Sequence, residues 1–137
     1  MAGYSGTPLV AKLGIKEGQR VVLLGAPADL GLEWPEGVTI RRRLVGPAAA
    51  GTADVVLFFT TLRTSLERQI GRLGQAVRPQ GTVRVAWPKR AAKVATDVTE
   101  NVVRDVALPL GLVDTKVCAI DDTWSGLKLV WRKSTRL

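Results

Sequence analysis

No histidine occurs in the chain, and its single cysteine is Cys118. Without an imidazole, neither Ser-His-Asp nor Cys-His catalysis can be assembled. The same shortage leaves no N/S ligand set for zinc, so no metal is expected, although Mg²⁺ needs only oxygen ligands. A lone thiol forms no internal disulfide and suits a reducing compartment, which points to the cytoplasm. Long apolar runs are missing too. Val21–Ala26 and Val55–Phe59 are strand-sized, short of the ~20 residues that cross a bilayer, so no membrane span is expected. The opening residues, MAGYSGTPLVAKLG, lack the basic start and apolar stretch of a signal peptide.

What remains is globular composition: 46% hydrophobic and 23% charged in 137 residues, read as one domain, 1–137, with one core. Basic residues exceed acidic ones, 20 to 12, for a net charge of +8. They cluster at Arg41-Arg42-Arg43, at Lys89-Arg90 with Lys93, and at Arg132-Lys133 with Arg136. Solvated strand ends and a frayed tail are the plainer reading. A nucleic-acid reading requires the three clusters to share one face.

Periodicity supplies the elements. Thr7 to Leu13 reads as a short opening helix with Pro8 at its first position, stopped by Gly14. Arg20–Leu24 is a nearly continuous apolar run, as in a strand buried on both faces of a parallel sheet. Ala26–Trp34 reads as a short helix, Pro35-Glu36-Gly37 as a turn, and Val38–Arg43 as a strand. GPAAAGT, positions 46–52, is a loop or a poor helix. Asp54–Phe59 is a second buried strand. In Thr61–Val77, Leu62, Leu66, Ile70, Leu73 and Val77 recur at helical spacing. Pro79-Gln80-Gly81 predicts a turn before the strand Thr82–Trp87, and Pro88-Lys89-Arg90 a loop after it. Asp97-Val98-Thr99-Glu100 has the form of a capping box for a helix that Gly111 ends. Val113–Ile120 and Leu127–Trp131 form a closing hairpin, which makes the last strand antiparallel.

Alternating strands and helices predict an α/β fold: a three-layer, Rossmann-like, mostly parallel sheet with a C-terminal antiparallel β-hairpin. The order of elements, over most of the chain, is similar to the sheet of the S-adenosylmethionine-dependent methyltransferases. Asp54-Val55-Val56-Leu57 and Gly81-Thr82-Val83-Arg84-Val85 look like that family's later strands. The resemblance implies a glycine-rich loop after the first strand and an acid ending the second, where the ribose is held. This chain departs at both places. One glycine, Gly25, precedes Ala26 and Pro27, and Arg41–Arg43 replaces the acid. No length remains for a third strand. Gly6-Thr7-Pro8-Leu9 through Lys16, Ala86-Trp87-Pro88-Lys89 and Thr123 through Arg132 also resemble a family of small uncharacterised bacterial proteins, a domain of unknown function.

A parallel sheet brings its strand exits to one edge. The candidate ligand-binding residues there are Gly25, Thr60, Thr61, Lys89, Arg90, Asp122, Trp124 and Ser125. Lys89 and Arg90 would meet an anion and Trp124 would offer a stacking surface. The plainer reading makes Asp121 and Asp122 turn residues and Trp124 a cover for the core. No catalytic residue is assigned. Trp34, Trp87 and Trp131 are expected to pack, and Cys118 to be a buried, inert thiol.

The missing imidazole, the single-glycine loop and the lost acid favour a non-catalytic domain without a cofactor. It would bind a protein partner or a small anionic ligand at the carboxyl edge. The alternatives are a divergent methyltransferase using S-adenosylmethionine, and a nucleic-acid-binding protein. An unpaired edge strand makes a homodimer the default expectation.

Overall fold

The computed structural model describes residues 9–27, 30, 32–44 and 51–132. In chain order its elements are α1 (Leu9–Lys12), β1 (Arg20–Leu24), β2 (Thr39–Arg41), β3 (Ala53–Phe59), α2 (Arg63–Ala76), β4 (Val77–Pro88), α3 (Glu100–Ala107), β5 (Leu112–Ala119) and β6 (Trp124–Trp131). Single 3₁₀ turns follow β4 (Arg90–Ala92) and α3 (Leu108–Leu110). The six strands form one sheet in the order β2-β1-β3-β4-β6-β5. β2, β1, β3 and β4 are parallel, and β6 runs antiparallel to both β4 and β5. The mostly parallel sheet and the closing hairpin are as the sequence predicts.

Alternation along the buried strands builds two cores. On one face Val22, Val56, Phe58, Val83, Val85 and Leu129 pack under α2 and α3. Leu66, Ile70 and Leu73, at steps of four and three, carry the buried stripe of α2. On the other face Val21, Leu23, Val55, Leu57 and Phe59 pack with Leu13, Ile15 and, from the segment before β2, Leu30, Leu32 and Trp34. Among the described residues, that second layer holds one four-residue helix, α1, and otherwise irregular chain.

Several local expectations are corrected. The described part of Ala26–Trp34 is irregular, not helical; residues 28, 29 and 31 lie outside the described residues. Leu30, Leu32 and Trp34 pack against the core on the α1 face of the sheet. Thr7 and Pro8, the expected start of the first helix, also lie outside, as do 45–50 and 133–137. Pro79-Gln80-Gly81 makes no turn: β4 already begins at Val77, which pairs with Ala53, while Thr82 pairs with Val55. Five steps on β4 thus face two on β3, a register irregularity in which Pro79, which has no N–H to donate, lies between the paired residues. Leu62 and Val77 fall outside α2; Leu62 is 53% exposed and Val77 opens β4.

The expected capping box is also divided differently. Thr99 caps α3, its side chain accepting from the Val102 N–H. Asp97 instead accepts the Arg63 N–H, at 2.7 Å, and so caps α2. Glu100 pairs with Arg104 within α3.

Candidate site at the carboxyl rim

The chain passes from β1 to its neighbour β2 on one side, then returns to the other side of β1 for β3. Reversals of this kind leave a crevice outside the carboxyl ends of the strands. Gly25 makes the turn at the end of β1 with φ +68°, in the left-handed region. A Cβ there would lie 2.5 Å from the Phe59 carbonyl oxygen, so the turn requires glycine for space as well as for φ.

The candidate residues do converge on this rim, but much of their polar capacity is already used. Thr60 is buried; its Oγ1 accepts from the Leu62 N–H at 3.2 Å, and its N–H donates to Ala86 at 3.0 Å. The Thr61 carbonyl accepts from Thr96 Oγ1 at 2.7 Å and from the Asp97 N–H at 3.3 Å. The Lys89 N–H donates to the Thr123 carbonyl at 2.7 Å, tying the exit of β4 to the β5–β6 turn. Asp121, not Asp122, organises that turn, accepting from the Thr123 and Trp124 N–H groups at 2.8 Å each. Trp124 is half-buried, its ring edge-on to Phe59 at 5.1 Å between centroids and 85° between planes. Ser125 lies inside β6, opposite Trp87 and Ala119. Arg90 and Asp122 are exposed.

The open space lies beside these residues, toward β2. A cavity of about 350 Å³ is lined by Leu23, Ala26, Pro27, Leu30, Leu32, Trp34 and Arg42. Sequence reasoning assigned Trp34 to packing and singled out none of the leucines. Packing is half of the truth for Trp34, which joins the core and also faces the cavity. The one legible signal was the arginine run where an acid was expected. Alternation then separates its members: Arg42 lines this cavity, while Arg41 lines another of about 380 Å³ with Arg20, Val22 and Thr39.

Away from the rim, the surroundings of Arg84 and of the Arg104–Asp114 pair move their pKa values from the ordinary ones. Arg84 is 3% exposed, and burial lowers its pKa, partly offset by Cys118, whose Sγ lies 3.8 Å from Nη1. Cys118 is half-buried rather than buried. Asp114 is held below the usual carboxylate range, chiefly by the hydrogen bond that it accepts from Arg104 at 2.8 Å. Among the described residues no cluster of His, Cys, Asp and Glu could hold a metal, and no helix is long and apolar enough to cross a membrane.

No protein-family model matches the sequence, and no curated protein matches it. Solved structures do match. A SAM-dependent methyltransferase from Aquifex aeolicus superimposes with a TM-score of 0.61 at 14% identity, over 88% of this chain and 86% of that one. A putative methyltransferase from Haloferax volcanii, solved in complex with its Trm112 activator, gives 0.62 at 12% identity, over 90% and 86%. The Burkholderia thailandensis 1,6-didemethyltoxoflavin-N1-methyltransferase, solved with S-adenosylhomocysteine bound, gives 0.58 at 14%, over 91% and 75%. The fold is that of the S-adenosylmethionine-dependent methyltransferases.

The methyltransferase fold corrects the expectation of a domain without a cofactor. One of the similar structures is a SAM-dependent methyltransferase and another was solved with S-adenosylhomocysteine bound, which overturns that expectation. The Haloferax protein's complex further shows that this fold can engage a protein partner. The methyltransferase fold here also has β2 as an edge strand among the described residues. Residues 45–50, where the sequence left no length for a third strand, lie outside them.

Proposed function

We propose that this chain is a divergent S-adenosylmethionine-binding methyltransferase, with the cofactor held in the cavity at the carboxyl ends of β1 and β2. The observation that carries the reading is that cavity, about 350 Å³ beside Gly25, next to the strand-order reversal of a methyltransferase fold.

Its residues suit a nucleoside in shape and chemistry. Leu30, Leu32 and the Trp34 indole give a flat base apolar walls and an aromatic face. Arg42 cannot accept a hydrogen bond, so ribose oxygens and the cofactor's carboxylate would accept from its guanidinium. This replaces the acceptor role that an acid plays at the same place in the family. Pro27 offers no N–H, which leaves fewer backbone donors in the first loop. The bound cofactor would supply an electrophilic methyl group. The chain's part is then to bind and orient, because methyl transfer depends mainly on alignment of donor and acceptor and needs no imidazole.

Melting with S-adenosylmethionine and S-adenosylhomocysteine tests the reading. Saturation at ~100 times Kd should add about 2.7 kcal/mol of stability. Trp34→Ala should abolish the shift while leaving a cooperative melt. Absence of a shift at millimolar concentration of either compound would remove the proposal.

A further inference from the structure

Two of the three basic clusters meet at the carboxyl rim. Arg42 and Arg43 follow the last residue of β2, and Lys89, Arg90 and Lys93 follow β4. Both strands run in the same direction in the sheet, so both clusters leave it on the same side. Three strand spacings of ~4.8 Å separate them, roughly 14 Å. Arg42, Arg43, Arg90 and Lys93 are exposed and Lys89 is half-buried. None of the five forms an ion pair among the described residues, whereas Arg63, Arg78 and Arg104 all do. Arg132, the described member of the third cluster, follows the antiparallel β6 and stands at the opposite rim, so the requirement that all three clusters share one face is not met, and only the β2 and β4 clusters can form a common surface.

We infer that the methyl acceptor is a single-stranded nucleic acid, whose phosphate backbone lies across the carboxyl rim between the β2 and β4 exits. The inference rests on the proposed function, which makes this rim the place where an acceptor must reach. Five cations without ion pairs on one rim, of which Arg42 also lines the cavity, repel one another, and a polyanion relieves that repulsion through release of its counterions. Their separation suits a partner with several charges along one line better than one small anion. A single strand is specified because a base stacked in a duplex does not present its ring atoms to a cavity at a sheet edge.

The test measures binding without cofactor, by fluorescence anisotropy of labelled 15-residue RNA and DNA strands and of a duplex, from 50 to 300 mM salt. The single strands should bind with log K falling linearly against log salt, and more tightly than the duplex; the RNA and DNA arms identify the sugar. Arg43→Gln, Lys89→Gln and Arg90→Gln together should weaken binding at least tenfold and flatten the salt slope by about 2. Arg20→Gln, Arg68→Gln and Arg132→Gln, an equal loss of charge away from this rim, should change affinity less than threefold. Equal effects of the two triple variants would overturn the inference, as would equal affinity for polyglutamate or for vesicles containing phosphatidylserine. Stabilisation by cofactor with no strand binding sinks this inference and leaves the proposed function standing. Strand binding with no cofactor stabilisation sinks the proposed function and, with it, the assignment of the strand as methyl acceptor.

Discussion

The Arg84 guanidinium, in the middle of β4, donates from Nε to the Leu13 carbonyl at 3.1 Å and from Nη2 to the Lys12 carbonyl at 3.0 Å. A buried cation thereby holds the end of α1 on the sheet, 71 residues away in sequence, with carbonyls as its partners rather than a carboxylate. Helix ends leave such carbonyls without intrahelical donors, and positive charge is favoured there. Arg84→Met keeps the apolar stem but strands both acceptors, at roughly 1–3 kcal/mol for each buried group left unpaired. We expect a loss of about 2 kcal/mol and a melting temperature several degrees lower. Arg84→Lys, which has no fork, should recover less than half of it.

Gly25→Ala should both destabilise the protein and weaken cofactor binding. The left-handed conformation alone costs about 1–2 kcal/mol with a side chain, and the Cβ would meet the Phe59 carbonyl at 2.5 Å. The turn must shift, and with it Ala26 and Pro27 in the cavity wall. Chemical denaturation and a cofactor titration on the same variant check both effects. Unchanged affinity would detach the turn from the site.

Asp97→Ala should loosen α2 rather than the nearer α3, because Asp97 caps the Arg63 N–H. A lost N-cap costs about 1 kcal/mol. Hydrogen exchange should accelerate at Arg63 and in the first turn of α2, while Val102, capped by Thr99, keeps its protection. The reverse pattern would restore the capping box read from sequence.

The Arg104–Asp114 pair predicts a pH dependence. Its hydrogen bond lowers the Asp114 pKa in the folded state, so the pair adds stability above the unfolded carboxylate value and loses it as the pH falls through the lowered one. Asp114→Asn should therefore melt below the wild type at neutral pH, with the gap narrowing below about pH 4. A gap independent of pH would mean that the carboxylate charge contributes nothing there.

Local pattern is enough to predict the parallel strands, the long helix and the closing hairpin, though not the start of β4 at Val77. Val21–Leu24 and Val55–Phe59 are apolar on both faces, Leu66, Ile70 and Leu73 keep helical spacing, and the short Asp121–Gly126 link read from sequence points to antiparallel neighbours, although β6 in fact begins at Trp124. These are local signals, written in residues that are close along the chain. The sequence also placed the candidate residues on one rim, since parallel strands share their exits. Which groups are free at that rim depends on packing between elements. Thr60, Thr61 and Asp121 are occupied by backbone partners, and Trp124 by Phe59. The cavity belongs to Trp34, two leucines and Arg42, whose meeting depends on how an irregular segment folds back over β1. Asp97 and Arg63, or Arg84 and Leu13, are likewise partners across distances that no periodicity spans. Hydrogen bonds and cavity walls are made between elements, and their identity is fixed only once the elements have packed.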